Sequence, residues 1–148
     1  MSVAVMRNSW PAQPTAVPAA RRAVREHVLA RGQEQLLDAV ELVLSELVGN
    51  VVVHVGGDVV VEARVTDDEV LVEVSDRSPV TPHLRVFSQV AATGRGMRLV
   101  HALSSEYGLR PEQEGKTIWV RITRDSAVRG DEELENEFSE VDWMDGLT

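Results

Sequence analysis

The sequence predicts an α+β sandwich with helices packed on one face of a mixed sheet. Three observations carry this. In residues 58–65 and 70–75, Val59, Val61, Ala63 and Val65, then Val70, Val72 and Val74, alternate with mostly more polar neighbours around the polar turn Thr66–Asp67–Asp68–Glu69. That is the period of a half-buried hairpin. Residues 15–31 and 39–55 carry apolar positions at helical spacing instead. Residues 116–123, KTIWVRIT, alternate once more as a late strand. Helical and extended signals succeed one another along 148 residues, enough for one domain with its own core.

In chain order, residues 2–7 read as a short strand with Val3 and Val5 on one face. The stretch WPAQPTAVP, residues 10–18, holds three prolines and reads as a turn into a helix. Helix one spans Thr15 to Arg31, with Val17, Ala20, Val24 and Val28 inward, and Gly32 stops it. Leu36, Leu37, Val40, Leu44, Leu47, Val48 and Val51 suit a second, mostly buried helix. VVVHV-GGD-VVVEARV, residues 51–65, also fits a hairpin around Gly56-Gly57-Asp58, since Val favours strands over helices. The helix is preferred as far as His54, because the polar stripe of Glu46, Asn50 and His54 makes sense only on a helix. Residues 77–93, with Pro79 and Pro82, read as a long functional or mobile loop. Residues 96–107 read as a third helix with Met97, Leu99, Val100 and Leu103 inward. Strand 116–123 closes the fold.

Composition narrows the chemistry. There is no cysteine, which excludes disulfides, thiol chemistry and Cys-ligated metals. No apolar run approaches the roughly 18 residues of a membrane span. The N-terminus MSVAVMRNSW does not read as a signal peptide, so the expected compartment is the cytoplasm. The net charge of −9 is uneven. Residues 1–124 hold 14 basic and 15 acidic residues, whereas residues 125–148 hold 1 and 9. The chain therefore divides into a near-neutral body, 1–124, and an acidic, flexible tail, 125–148. Phe138 and Trp143 in that tail are candidate anchors for docking on the body or on a partner. A net acidic chain is not expected to bind nucleic acid directly. The basic side is 14 Arg and one Lys, Lys116.

Four local features stand out. Glu46, Asn50 and His54 interrupt the apolar second helix at four-residue steps, so they lie along one ridge. A carboxylate and an amide in an apolar layer need partners. Spacing alone leaves two readings open: a solvent-facing or internally paired stripe, or a ridge that faces a ligand or metal. Gly94-Arg95-Gly96 runs into the third helix, where free N–H groups and the helix dipole favour an anion, although most such glycine pairs are only tight turns. Asp76 ends a hairpin strand just before Ser78-Pro79. Gly115-Lys116-Thr117 starts the last strand.

Taken together and in this order, LSELVGNVVVH (44–54), VEVSDRSP (72–79), GRGMRLVHAL (94–103) and GKTIWV (115–120) resemble the GHKL ATPase superfamily of gyrase, the ninety-kilodalton chaperone, histidine kinases and MutL. Within it the chain looks most like the small anti-sigma-factor serine kinases and the ATP-binding regulators abundant in streptomycetes. The resemblance covers residues 3–123. It implies a two-layer Bergerat-type sandwich with a mixed, mostly antiparallel sheet. It also implies ATP and Mg²⁺ as cofactors, with Asn50 holding Mg²⁺ through its amide oxygen and Glu46 as general base. Asp76 would accept from the adenine amino group, with Thr117 beside it. Gly94 and Gly96 would let the backbone wrap the phosphates, and Arg95 and Lys116 either reach phosphate or lie solvated. His54 matches the last position of the first motif. Where the family's second motif often reads DxGxG, this chain has Asp76-Arg77-Ser78-Pro79-Val80, a stiffer form common in the streptomycete-type members.

The resemblance implies an anti-sigma factor that phosphorylates a STAS-type anti-anti-sigma protein on Ser or Thr. A non-catalytic, nucleotide-gated protein-binding module is the alternative. A sigma factor and a STAS-domain protein are the implied partners, and a homodimer is the implied assembly.

Overall fold

The computed structural model describes residues 3–77 and 95–133. Its elements are β1 (Ala4–Pro11), α1 (Ala16–Ala30), a 3-10 turn (Glu34–Leu36), α2 (Leu37–His54), β2 (Asp58–Val65), β3 (Glu69–Asp76), α3 (Arg95–Leu103), β4 (Glu106–Pro111) and β5 (Lys116–Thr123). A final helix, α4, covers 124–133.

The strands form one sheet in the order β1-β2-β3-β5-β4. All four pairings are antiparallel, so among the described residues the sheet is not mixed. Helices cover one face. Val59, Val61, Ala63 and Val65 on β2, Val70, Val72 and Val74 on β3, and Ile118, Val120 and Ile122 on β5 point into the helical layer. The predicted alternation is thus the packing rule of the sheet. Ala16, Ala20, Val24 and Val28 form a buried stripe on α1 at four-residue steps, where each fully buried valine contributes on the order of 1.5 kcal/mol or more. That stripe packs on α2, whose Val40, Val43, Leu44, Leu47 and Val48 are sealed from water. Apolar residues nearly all round α2 follow from its position, with α1 and α3 beside it and β3 and β5 beneath it.

Short contacts fix the joints. Gly32 at φ 72° ends α1, a conformation that suits glycine. The buried Gln33 donates from Nε2 to the Thr66 carbonyl at 2.6 Å, tying the α1–α2 joint to the hairpin turn. In that turn Thr66 Oγ1 accepts from the N–H groups of Asp68 and Glu69.

The structure corrects further expectations. β1 continues to Pro11, and the face that carries Val3 and Val5 is exposed. Its polar second half, Arg7-Asn8-Ser9, is an edge segment whose side chains meet water, which hid the strand. The third helix stops at Leu103 rather than 107, and Glu106–Pro111 is an unforeseen edge strand. Gly108 sits there because a Cβ would lie 2.7 Å from the Trp119 ring opposite it. The stretch read as the start of a flexible tail is helical over 124–133, with Ser126 and Ala127 buried. The predicted loop 77–93 and the anchors Phe138 and Trp143 lie outside the described residues, apart from the exposed Arg77.

Candidate functional site

The ridge on α2 is graded in burial. Glu46 is half-buried, Asn50 is buried at 9% exposure, and His54 is exposed. The Asn50 Nδ2 is shut off from water and has no hydrogen-bond partner. Such a donor carries a penalty of about 1–3 kcal/mol unless something occupies the space beside it.

Topology sets this ridge against the end of the sheet. After His54 the chain turns through Gly56 and Gly57, at φ 81° and 74°, and enters β2 at Asp58. Ala12 N–H bonds the Gly57 carbonyl at 2.7 Å and anchors the turn to the end of β1. Across the ladder Val59 faces Asp76, and Asp76 faces Lys116. The C-terminal turns of α2, the end of β3 and the start of β5 therefore meet at one end of the sandwich. Asn50 lies about 6 Å before His54 along the helix axis.

At this end Asp76 and Lys116 are both buried, at 3% and 4% exposure. The Lys116 ammonium donates to Asp76 Oδ2 as an ion pair within the helix-facing side of the sheet. Lys116 thus does not lie solvated, one of the two roles its sequence context left open. The pairing depends on register between residues 40 positions apart, which no local motif displays. Gly115 makes it possible. It has φ 90°, and a Cβ there would overlap the carbonyl oxygen and Oδ1 of Asp76.

Thr117 is buried but points the other way. It faces Ser75 in the ladder, and the two hydroxyl oxygens are 2.6 Å apart. Its hydroxyl also donates to Glu112 Oε1 at 3.1 Å. Alternation places these groups on the helix-free face, so Thr117 neighbours Asp76 along the sheet but not across the site. A depression of about 550 Å³ on that face is lined by Arg7, Glu62, Glu73, Arg110, Glu112 and Thr117. Arg110 bridges Glu73 at 3.2 Å and Glu112 at 2.9 Å, which holds the Glu112 carboxyl below its usual range. The face is a lattice of paired charges, and the depression reaches Asp76 but is lined by no described α2 residue.

Of the glycine loop, Arg95 and Gly96 are the first residues of α3, while Gly94 lies outside the described residues, as does the Arg95 side chain. Leu99, Val100 and Leu103 are buried and seat α3 against α2. The far end of α3 leads directly to the Arg121 end of the sheet, where Ser105 N–H bonds the Arg121 carbonyl at 2.8 Å.

A five-stranded antiparallel sheet with helices on one face, a polar ridge on α2 and a buried carboxylate closing the central strand make up this α+β sandwich. The histidine kinase-like ATPase domain family matches residues 10–122, and the chain belongs to that family. No curated protein matches the chain. Membership of the family carries an ATP-binding regulatory role. Among the described residues no helix is long and apolar enough to cross a membrane.

Proposed function

We propose that the protein is an ATP-dependent anti-sigma factor with serine/threonine kinase activity toward a STAS-type partner. The observation that carries this is the Asn50 Nδ2, a buried N–H donor without an acceptor one turn from Glu46. It supports a ligand at this ridge over a solvated or internally paired stripe.

The orphaned Asn50 Nδ2 fits a phosphate oxygen as its acceptor, and the amide Oδ1 would be one Mg²⁺ ligand among several. Among the described residues no group of three or more His, Asp or Glu could hold a metal, so phosphate oxygens and water would complete the octahedron that Mg²⁺ demands. Bound there, Mg²⁺ supplies charge neutralisation across the phosphates. Glu46 lies one turn earlier on the same ridge, positioned to take the proton of an incoming hydroxyl. In the proposed transfer the hydroxyl oxygen bonds to the γ-phosphorus. The bond to the bridging oxygen breaks, ADP leaves, and the hydroxyl proton passes to Glu46. The backbone entering α3 would meet the phosphates, and Asp76 would read the base.

Labelled ATP with STAS-domain proteins from the same genome tests this reading. Phosphate on a Ser or Thr of one of them is the expected result. Normal ATP binding without transfer to any of them overturns the kinase.

The Asp76–Lys116 pair favours a second reading. Lys116 already engages Asp76 Oδ2, so base recognition would have to share this carboxylate, and the alternative is a non-catalytic module that binds nucleotide to set its shape. A parent protein without phosphotransfer whose partner binding is lost in Asn50→Ala supports that module.

A further inference from the structure

The matched family domain ends at residue 122, and helix α4, residues 124–133, lies just beyond it. The buried Ser126 and the half-exposed Arg129, which also pairs with Glu133 on its own helix, both reach the C-terminus of α3. Arg129 Nη2 donates to the Ser104 carbonyl at 2.8 Å and reaches the Ala102 carbonyl at 3.5 Å. Ser126 Oγ, 1% exposed as a residue, donates to the Leu103 carbonyl at 2.9 Å. Three successive carbonyls, 102 to 104, are thereby met from one neighbouring helix. These are the groups a helix C-terminus leaves without intrahelical partners. A guanidinium there also opposes the negative end of the helix dipole. The fit is tight. At Gly130 a Cβ would come within 2.6 Å of the Ala102 carbonyl oxygen and 2.9 Å of Leu103 Cα. Ala127 sinks into the core beside this contact.

The helix held in this way has nine residues, Arg95–Leu103, with Gly96 in its first turn. This short helix is seated against α2 by Leu99, Val100 and Leu103 and held at its last carbonyls by α4, so α4 supplies one of the two restraints on its axis.

We propose that α4 is a clamp on α3 and that Arg129 is a positioning residue for nucleotide phosphate, acting from the opposite end of the helix and without touching the ligand. This rests on the reading of the α3 N-terminus as the phosphate-binding end. Arg129 then governs the affinity contributed by phosphate and leaves the contribution of the base alone.

The test compares wild type with Arg129→Ala, Arg129→Lys and Ser126→Ala. Calorimetry is run with Mg-ATP and with adenosine, and amide hydrogen exchange is followed over residues 98–103 without nucleotide. In Arg129→Ala the clamp predicts faster exchange over 98–103, about tenfold weaker Mg-ATP binding and unchanged adenosine binding. Arg129→Lys, which keeps the cation but not the fork, restores part of both losses. Equal weakening for Mg-ATP and adenosine overturns the proposal, since general loosening of the fold would do that. Wild-type exchange in Arg129→Ala overturns it as well. Should the alanine variant not fold, Arg129→Lys and Ser126→Ala are judged by the same readouts. A wild type that binds no Mg-ATP sinks the nucleotide reading alone, and exchange over 98–103 still decides whether the clamp exists.

Discussion

The Lys116 ammonium and the Asp76 carboxylate form an ion pair sealed inside the sandwich, with side chains 5% and 2% exposed. Two charges removed from water depend on one another, and removing one leaves the other stranded. Lys116→Met should therefore destabilise the protein by about 3 kcal/mol. The double variant Lys116→Met with Asp76→Leu should recover most of that loss. Urea unfolding of Lys116→Met, Asp76→Leu and the double variant checks this, and additive losses in the double variant would contradict the pairing.

Two glycines should respond oppositely. Gly115 has φ 90° and lies against Asp76, so Gly115→Ala forces a side chain into Asp76 and strains the backbone. A loss of about 2 kcal/mol or more is expected. Gly49 lies inside α2, and a methyl group added there would meet nothing within 4 Å. Gly49→Ala should add about 0.5–1 kcal/mol of stability through helix propensity. Thermal melts distinguish the two, and a neutral Gly115→Ala would show that the start of β5 yields to a side chain.

The hairpin of β2 and β3 was legible because its inward residues recur at every second position around a polar turn, with Glu62, Arg64, Glu73 and Ser75 between them, and local alternation survives into the packed sheet. The ridge of Glu46, Asn50 and His54 was legible for the same kind of reason, since helical period is local. β4 was not. Glu106-Tyr107-Gly108-Leu109-Arg110-Pro111 is an edge strand whose glycine answers to Trp119 across the ladder. The Asp76–Lys116 pair and the opposite facing of Thr117 were hidden likewise, because both depend on the register of β3 against β5. Helix α4 was masked by its charge. Its docking uses Ser126, Ala127 and Gly130, small residues with no apolar signature.

The open face supplies a pH prediction. Glu62 and Glu73 face each other across β2 and β3. Burial first, then the hydrogen bond with Glu73, raise the Glu62 carboxyl above its usual 4.5, against the pull of Arg64 and Arg7. A raised carboxyl means that the folded state holds the proton more tightly than the unfolded chain does. Its stabilising contribution is present below the ordinary carboxylate value and is lost as pH rises through the folded one. Glu62→Gln should thus match wild type near about pH 3.5 and be the more stable protein near about pH 7. Melting temperatures at the two pH values check it, and a variant less stable at neutral pH would reverse the assignment.

Glu46 should separate chemistry from binding. As the proposed base it acts on the incoming hydroxyl and not on the nucleotide. Glu46→Gln should lower phosphotransfer by about 100-fold or more while Mg-ATP binds as in wild type. Radiolabel transfer and calorimetry on one preparation measure both. Joint loss of binding and transfer would move Glu46 into the nucleotide-holding set.

Asn50 offers the sharpest separation of stability from function. Its Nδ2 is buried without a partner, so the ligand-free fold carries a polar group that nothing satisfies. Asn50→Ala removes that group and leaves a small void in its place. The two effects oppose each other, each worth about 1–3 kcal/mol, so the free variant should melt within a few degrees of wild type or above it. A residue kept for packing would behave otherwise and lose stability when truncated. Wild type should gain melting temperature on adding Mg-ATP, because a ligand bound only by the folded state stabilises it by mass action. Asn50→Ala should show no such gain. A variant that melts far below wild type, yet keeps its full response to Mg-ATP, would return Asn50 to the core and take the site away from this ridge.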